Sequence, residues 1–352
     1  MNKITIHDVA DKAGVSISTV HQALNGKKGV GEETRKRIQS VADELGYQPN
    51  PMASSLKRKT RQIGILLPNS SYYDTVWKGV RDYLGSVPNM NVECTELPFG
   101  DGENPTRIYK RVYAALEEKK LEGILVTGHS ELFSARDWEE FYARDIAVSL
   151  LGADMPGSHR IYCVMPDYEI IGRTMAELLL SRIPPYGSIA LCAGNPKWEP
   201  HAKVVQGFED YMQENGAANN IYRCNTWDEK DESYLEILHM ISRPDVAACC
   251  SVLSQSSVLL GRALMETGKQ NVIFGVGSDL SKENVAFLKQ GVFNNLIQKN
   301  PYAQGYLGVK NLVEYLMLGR QPEPDKLYVG SEVVFRSNLS MYLNKSYRSL
   351  LR

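Results

Sequence analysis

The sequence predicts two kinds of structure in one chain, a small all-α head with a helix-turn-helix and a larger α/β body. Charge separates the two parts: residues 1–61 carry a formal net charge of +5, whereas the rest of the 352-residue chain carries −6. Apolar residues recur at helical spacing in the head, and short apolar runs alternate with amphipathic helical segments in the body. A chain of this length suits two or three domains.

The first two helices of the head are short and joined by a tight turn. Thr5 is placed to cap the first helix, and Gly14 supplies the left-handed backbone of the turn that follows. Ser16 is placed to cap the second helix, and a third is predicted over residues 32–45 with Gly46 as its stop. The second helix has an apolar face of Ile17, Val20 and Leu24 and a polar face of Ser18, His21, Gln22 and Asn25.

A three-helix bundle of this size could bind a protein partner or DNA, and the helical pattern alone does not distinguish these two functions. The excess positive charge and the polar second helix favour DNA, because a duplex attracts basic surfaces and its major groove admits a helix. We therefore interpret the head as a DNA-binding module.

Four segments of the head carry a specific pattern. They are residues 5–20 (TIHDVADKAGVSISTV), 24–26 (LNG), 32–35 (EETR) and 45–50 (LGYQPN). Together they closely resemble the head of the lactose/galactose repressor family. The resemblance implies that residues 1–48 bind DNA with the second helix in the major groove. It implies base-reading side chains at Ile17, Ser18 and Gln22, and further DNA contacts at Thr5, Ser16, Thr19, His21, Asn25, Thr34 and Tyr47.

Two positions depart from the family pattern. The family usually has Ser-Arg where this chain has His21-Gln22, and arginine suits a guanine edge whereas glutamine pairs best with adenine. We expect an operator that differs from the family's common half-site; the alternative is that Gln22 contacts only phosphate or water. Gly31 replaces the common serine cap of the third helix, and glycine is also an acceptable cap.

Residues 49–61 form a proline-bounded, basic linker after the head. Pro51 suits the first turn of a helix, but so short a helix is unstable alone. The family resemblance implies paired hinge helices that form on the operator, with one leucine per subunit wedged into the minor groove. The contacts implied in this segment are Asn50, Ala53 and Leu56. The alternative is an ordinary exposed linker.

From residue 62 the pattern is that of parallel strands covered by helices, in two similar halves. This order, and the run NLIQ followed by NPYAQGY near residue 300, resemble the type I periplasmic sugar-binding-protein fold. The resemblance implies a two-lobed effector-binding and dimerisation domain over residues 62–340. The expected lobes are 62–160 with 295–325, and 161–293 with 326–340, followed by a tail of residues 341–352.

A cleft between the lobes is the predicted site for a small polar effector, because open α/β sheets place ligands at the carboxyl ends of their strands. Aromatic side chains can stack on sugar C–H surfaces, and carboxylates or amides can fix hydroxyls. The residues predicted to bind the effector are Tyr72, Tyr73, Asp74, Trp77, Lys203, Gln255, Asp279 and Gln298. Trp77 is equally suited to the core of its helix.

The predicted cleft departs from family members that bind sugars. Their arginine before the Gly-Phe pair of the sixth helix is absent, so Lys203 is considered as its substitute. Gln255 and its neighbour replace a frequent Asn-Asp pair. The effector is therefore expected to be an unusual sugar or polyol. Trp198, Glu199 and His201 could line the cleft instead, although they are expected to be solvated loop residues.

The sequence lacks the motifs that mark other classes of protein. It has no phosphate-binding loop, nucleophile elbow, metal-ligand spacing or dinucleotide fingerprint, so no enzyme, cofactor or metal is predicted. The six cysteines lie mostly in apolar runs and are expected to be free core thiols of a reducing compartment. Neither a signal peptide nor a membrane span is predicted, which indicates a cytoplasmic protein.

We therefore predict a homodimeric transcription regulator, a repressor by resemblance, that binds double-stranded palindromic operator DNA and responds to a sugar-like effector. A higher oligomer stays open. Two alternatives remain: a DNA-binding regulator that is ligand-independent or controlled by a partner protein, and, from another class, a sugar-modifying enzyme with a DNA-binding head.

Overall fold

The computed structural model of the protein describes residues 4–24, 29–47, 59–88, 90–100, 103–128, 132–225 and 231–343. It divides into two compact units, a head unit of residues 1–59 with 89–91 and a body unit formed by the remainder. The head unit is all-α and the body unit is α/β, as the sequence predicts.

The head unit is a bundle of α1 (Ile6–Ala13), α2 (Ile17–Leu24) and α3 (Glu32–Leu45). Local hydrogen bonds fix where the first two helices begin. The Thr5 amide and hydroxyl both donate to the Asp8 carboxylate at 2.7 Å, and the Thr19 amide donates to the Ser16 hydroxyl at 3.1 Å. The predicted caps are therefore present.

The interior of the head is small and apolar. Val9, Val20 and Ile38, one from each helix, are fully buried. Gly14 ends α1 with φ +64°, a left-handed conformation that a residue with a side chain adopts only at a cost. The core and this turn together set the angle between α1 and α2, which is the geometry of a helix-turn-helix.

The first sheet of the body consists of six parallel strands. They are β1 (Arg61–Leu66), β2 (Val92–Glu96), β3 (Gly123–Thr127), β4 (Ala147–Leu151), β5 (Tyr162–Pro166) and β11 (Lys326–Val329). Their order across the sheet is β2-β1-β3-β4-β5-β11. β3, β4 and β5 are buried along their whole length, as expected for strands covered by helices on both faces.

The second sheet repeats this plan. Its strands are β6 (Ser188–Cys192), β7 (Ile221–Cys224), β8 (Val246–Ser251), β9 (Phe274–Ser278), β10 (Asn295–Gln298) and β12 (Glu332–Val334). The order is β7-β6-β8-β9-β10-β12, and only the pairing of β10 with β12 is antiparallel. The parallel order explains the apolar runs of the sequence.

Helices cover both sheets and complete two lobes. The first lobe holds α4 (Ser71–Ser86), α5 (Pro105–Lys119), α6 (Ala135–Ala143) and α12 (Pro301–Leu318). The second holds α7 (Tyr168–Leu180), α8 (Glu199–Glu214), α9 (Asp231–Ser242), α10 (Ser254–Glu266), α11 (Lys282–Gln290) and α13 (Leu339–Leu343). Among the helices of the described ranges, none has the length and apolar character needed to cross a membrane.

The chain passes between the lobes three times. β5 lies in the first sheet while the following α7 packs on the second lobe; β10 and α12 do the reverse; β11 and β12 then divide between the sheets. This corrects the expected boundaries, since 162–166 and 326–329 belong to the first lobe and 295–298 to the second. Order along the chain does not show such an exchange, because parallel pairing joins strands that are distant in sequence.

In the first lobe, α4 and α12 cross at two glycines. A Cβ on Gly79 would lie 2.2 Å from the carbonyl oxygen of Tyr302, and a Cβ on Gly305 would lie 2.0 Å from that of Val76. Real side chains never come so close to backbone, so only glycine permits this approach at either position.

The second lobe also has two glycines where α7 crosses α8. A Cβ on Gly172 would lie 1.9 Å from the carbonyl oxygen of Val204, and a Cβ on Gly207 would lie 2.1 Å from that of Glu169. The two glycine crossings occupy matching places in the two lobes. They show that the helices meet backbone to backbone on one face of each sheet.

The six cysteines are free thiols, as predicted. Five of them are buried and Cys94 is partly buried. Burial raises the pKa of Cys163 and Cys250 to about 12, so these thiols stay protonated and unreactive at neutral pH.

Candidate functional site

The first two residues of α2 are exposed. Ile17 keeps 41% of its surface in solvent although it is apolar, and Ser18 beside it is also exposed. His21 and Gln22, one turn further on, are partly buried, and the Gln22 Oε1 lies beside Gly29. This face combines one apolar and several hydrogen-bonding side chains, which is the set of groups that reads base edges in a major groove.

The other predicted DNA contacts lie around α2. The hydroxyls of Ser16 and Thr19 are 2.8 Å apart at its start. Thr5 is exposed, whereas Thr34 and Tyr47 are partly buried. Asn25, Asn50, Ala53 and Leu56, with most of the linker, lie outside the described residues, so their roles stay predictions.

A cavity of about 350 Å³ lies between the two lobes of the body, at the carboxyl ends of both sheets. Its lining is mostly apolar and aromatic. Tyr72, Tyr73 and Phe99 line it from the first lobe, and Trp198, His201 and Leu253 from the second. The volume and the character of the walls suit a small organic molecule.

A buried ion pair forms part of the wall. Asp279 follows β9 and Lys299 follows the neighbouring β10, and their side chains are only 5% and 8% exposed. The Lys299 ammonium donates to Asp279 Oδ2 at 2.9 Å and to the Val252 carbonyl oxygen at 2.8 Å. Asp279 Oδ1 is buried without a hydrogen-bond partner among the described residues. Such an acceptor is costly unless a bound molecule supplies a donor.

The Tyr72 hydroxyl lies close to this ion pair. The Gln304 side-chain amide donates to the Tyr72 hydroxyl at 3.0 Å and to the Lys299 carbonyl oxygen at 2.8 Å. Burial raises the pKa of Tyr72 well above its usual value, so the hydroxyl keeps its proton. Because the Tyr72 hydroxyl oxygen accepts from Gln304, the hydroxyl proton is available to an acceptor in the cavity.

Asp154 also lines the cavity, but cations on its own lobe occupy its carboxylate. Arg160 donates to its two oxygens at 2.5 and 3.0 Å, and Lys326 lies 3.2 Å from Oδ2. These contacts hold the pKa of Asp154 at about 2. Arg160 also donates to Asp325 at 3.0 Å, so the cluster ties the loop after β4 to the segment that precedes β11.

Asp154→Asn is expected to lower the free energy of unfolding by about 2 kcal/mol at pH 7. Because the pKa of Asp154 falls from 3.8 to about 2 on folding, its carboxylate stabilises the protein above pH 4 and loses this effect as the pH falls toward 2. The difference should shrink to about half by pH 3. Urea unfolding between pH 7 and pH 3 measures it, with Asp325→Asn as the control expected to change less. A difference independent of pH would contradict the assignment.

Trp198 and His201 form an aromatic wall at the start of α8. Their ring centroids are 5.3 Å apart. The Asn195 amide donates to His201 Nδ1 at 3.1 Å, which leaves the proton of the neutral ring on Nε2. Gly194, at φ +69°, gives the ring room, since a Cβ there would lie 2.7 Å from Nδ1. The imidazole is therefore held in one orientation.

The structure brings four of the eight predicted effector residues to the cavity and places four elsewhere. The four at the cavity are Tyr72, Tyr73, Gln255 and Asp279, and the four elsewhere are Asp74, Trp77, Lys203 and Gln298.

Each of the four misplaced residues has a structural reason for its position. Trp77 is 3% exposed in the core of the first lobe, where its indole N–H donates to a backbone carbonyl at 3.3 Å. Asp74 is exposed on α4. Lys203 lies 3.2 Å from Glu199, the partner one turn earlier on α8. Gln298 is buried within β10.

Sequence reasoning missed other parts of the wall. Lys299 and Asp154 were not predicted. Trp198, Glu199 and His201 all line the cavity, which is the less favoured of the two expectations, and Glu199 is also exposed to solvent. The sequence signal that could have found these residues is their position shortly after a strand. These residues follow the strands β4, β6 or β10, where a parallel sheet presents its ligand-binding loops.

Comparison with known proteins agrees with this architecture. Residues 138–321 match the family model of the periplasmic binding protein domain, and residues 5–50 match that of bacterial regulatory proteins of the lacI family. Fold and site thus define a periplasmic-binding-protein-like body joined to a helix-turn-helix head. The chain belongs to the periplasmic binding protein domain family and carries a lacI-family helix-turn-helix head.

Curated relatives match over part of their length. Catabolite control protein A of Streptococcus mutans is 36% identical over 217 residues, covering 60% of this chain and 62% of that protein. The HTH-type transcriptional regulator DegA of Bacillus subtilis is 27% identical over 218 residues, covering 61% and 62%. This chain thus matches less than two thirds of the length of either relative.

Solved structures share the fold of the body. A protein from Bacteroides fragilis described as a LacI transcriptional regulator has a TM-score of 0.71 at 19% identity, covering 81% of this chain and all of that one. The glucose-galactose binding protein GanP of Geobacillus stearothermophilus has a TM-score of 0.68 at 21% identity, covering 80% and 99%. At these identities the likeness shows the fold alone.

Proposed function

We propose that this protein is a sequence-specific DNA-binding transcription regulator, a repressor, that binds a palindromic operator as a homodimer and is controlled by a small polar effector. The observation that carries the proposal is the exposed start of α2, where Ile17 and Ser18 lie on the surface of a small capped bundle. The names of the relatives, which are regulators, support it. The proposal includes a cytosolic location and no catalysis.

In the proposed complex α2 lies in the major groove. Ser18 and Gln22 offer hydrogen bonds to base edges, and Ile17 offers an apolar surface suited to a thymine methyl group. The hydroxyls of Ser16 and Thr19, at the start of the helix, are proposed to contact phosphates, which position the helix without reading sequence. A homodimer presents two heads to half-sites one helical turn apart, so the operator is expected to be palindromic.

The effector is proposed to bind between the lobes. Asp279 Oδ1 and the Tyr72 hydroxyl are polar groups that a ligand can use there, and they belong to different lobes. A ligand that touches both lobes shifts the equilibrium between lobe arrangements by its difference in affinity for them. Operator affinity changes if the arrangement of the body alters how two linked heads are held.

The test of DNA reading is the variant Gln22→Arg. Selection from random duplex DNA is expected to recover a palindrome for the wild type and a half-site with one changed base pair for the variant, because arginine favours guanine. We expect discrimination of about 10-fold at that base pair, within the usual range for one good bidentate contact.

Gln39→Arg is the matched control, since it adds the same charge on an exposed position of α3. It is expected to strengthen binding to all sequences alike and leave the selected half-site unchanged. Should Gln22→Arg behave like Gln39→Arg, Gln22 does not read bases. Failure of the wild type to select any palindrome would overturn the proposed function.

A further inference from the structure

The polar end of the cavity carries no net charge. Lys299 neutralises Asp279, and the charges of Arg160 and Lys326 are balanced by those of Asp154 and Asp325. Two of the three ammonium protons of Lys299 are donated within the protein, which leaves one donor next to the unpartnered Asp279 Oδ1. A single ligand hydroxyl can donate to Asp279 and accept from Lys299 at once. A charged ligand group would instead compete with the ion pair.

A second buried polar atom points to hydroxyls on the ligand. The Thr127 hydroxyl lines the cavity from β3, is 5% exposed and has no hydrogen-bond partner among the described residues. A hydroxyl group both donates and accepts, so it suits a neutral partner of the same kind. The unpartnered polar atoms of Asp279 and Thr127 therefore both fit a neutral, hydroxyl-bearing ligand.

The other end of the second-lobe wall is aromatic. Trp198 and His201 follow β6, whereas Asp279 follows β9, and β8 lies between these two strands in the sheet. Strands are spaced by about 4.8 Å, so the ends of β6 and β9, from which the two loops start, are about 10 Å apart. That distance exceeds the width of one sugar ring and leaves room for a second, planar group over the aromatic pair.

A free sugar fits this wall poorly. A monosaccharide ring can bind Asp279 and Lys299 or stack its C–H face on Trp198 and His201, but one ring does not span both ends. A molecule with hydroxyls at one end and an aromatic group at the other matches both ends of the cavity.

We infer that the effector is a neutral two-ended molecule whose hydroxyl-bearing end binds Asp279 and Lys299 and whose aromatic end stacks on Trp198 and His201. Two kinds of compound have this chemistry, aryl glycosides and nucleosides. The inference rests on the proposed function, because it names the ligand class of the proposed effector cavity.

Isothermal titration of the full chain tests the inference directly. The probes are phenyl β-D-glucoside, phenyl β-D-galactoside, adenosine and cytidine, each compared with its parent sugar and with glucose 6-phosphate. A two-ended compound is expected to bind about 10-fold more tightly than its parent sugar, a gain typical of one stacking contact. Whether the glycosides or the nucleosides bind more tightly identifies which of the two kinds of compound the effector is. A panel in which nothing binds, or in which a free sugar or the phosphate binds best, overturns the inference.

Two variants test the stacking contact. Trp198→Ala is expected to lower affinity for the two-ended compound about 10-fold and to change affinity for the parent sugar less than about 2-fold. Trp198→Phe should recover most of the loss, because it keeps a planar ring. Tyr186→Ala, at an 87% exposed aromatic residue that does not line the cavity, is the matched control and should change neither affinity. Equal losses for both compounds in Trp198→Ala would overturn the inference.

Operator binding by the same preparations separates this inference from the proposed function. A protein that selects an operator and changes its affinity only with a free hexose keeps the function and overturns the inference. A protein that binds a two-ended compound but no operator keeps the inference about the ligand and overturns the proposed function.

Discussion

Gly172→Ala is expected to lower the free energy of unfolding of the body by about 3 kcal/mol or more, the upper range for an overpacked site. The added Cβ would meet the Val204 carbonyl oxygen at 1.9 Å, and neither helix backbone can bend away without disturbing the second sheet below it. Gly305→Ala should act in the same way on the first lobe, where the corresponding distance to the Val76 carbonyl oxygen is 2.0 Å. The urea midpoint and the slope of the transition measure both effects.

Gly85→Ala is the matched control for the glycine variants. Gly85 lies inside α4 with nothing within 4 Å of an added Cβ. Alanine is the better helix former, so this variant should be slightly more stable than the wild type, by up to about 1 kcal/mol. Urea midpoints for Gly172→Ala and Gly85→Ala that move together would show that the crossing helices separate at little cost.

Asp279→Ala is expected to cost about 3–5 kcal/mol of stability, because it leaves the Lys299 ammonium buried without a counter-charge. It is also expected to abolish the effect of the effector on operator affinity, because it removes the carboxylate proposed to bind the effector. Lys299→Met should be similarly costly, since it leaves the carboxylate alone. The double variant removes both charges, and it should recover most of the lost stability without recovering the response. Urea unfolding and operator titrations with and without effector give the two readouts.

The control for the ion-pair variants is Glu117→Gln. Glu117 lies 2.8 Å from Arg144 but is 68% exposed, so its loss should be within measurement error. If Asp279→Ala keeps the response to effector, Asp279 does not belong to the effector site. If the costs of the two single changes simply add in the double variant, the two charges do not depend on each other.

The fold of the head was predictable because its determinants are local. Thr5, Gly14 and Ser16 each act within three or four residues, and the structure has the corresponding caps and turn. The class of the body was predictable for the same reason, since apolar runs mark buried parallel strands. The division into lobes was not, because β11 pairs with β5 across some 160 residues and no local signal records that pairing.

The cavity was predictable in place but only partly in composition. Asp279 was found from its position at the end of a strand, and the same rule applied to the next strand would have found Lys299. Trp77 could not be assigned, because helical spacing is the same for a core residue and for one that faces a ligand. Trp198 and His201 were considered for the cavity but expected to be solvated, because a loop sequence does not reveal that the other lobe faces it.

The three passages of the chain between the lobes also determine when the body can finish folding during synthesis. The first sheet lacks its last strand until residues 326–329 have been made, and α4 lacks its glycine-matched partner until α12 has been made. Neither half of the body is therefore an autonomous folding unit. Until these segments have been made, the first lobe keeps an unpaired strand edge and an uncovered helix face, and both features favour aggregation.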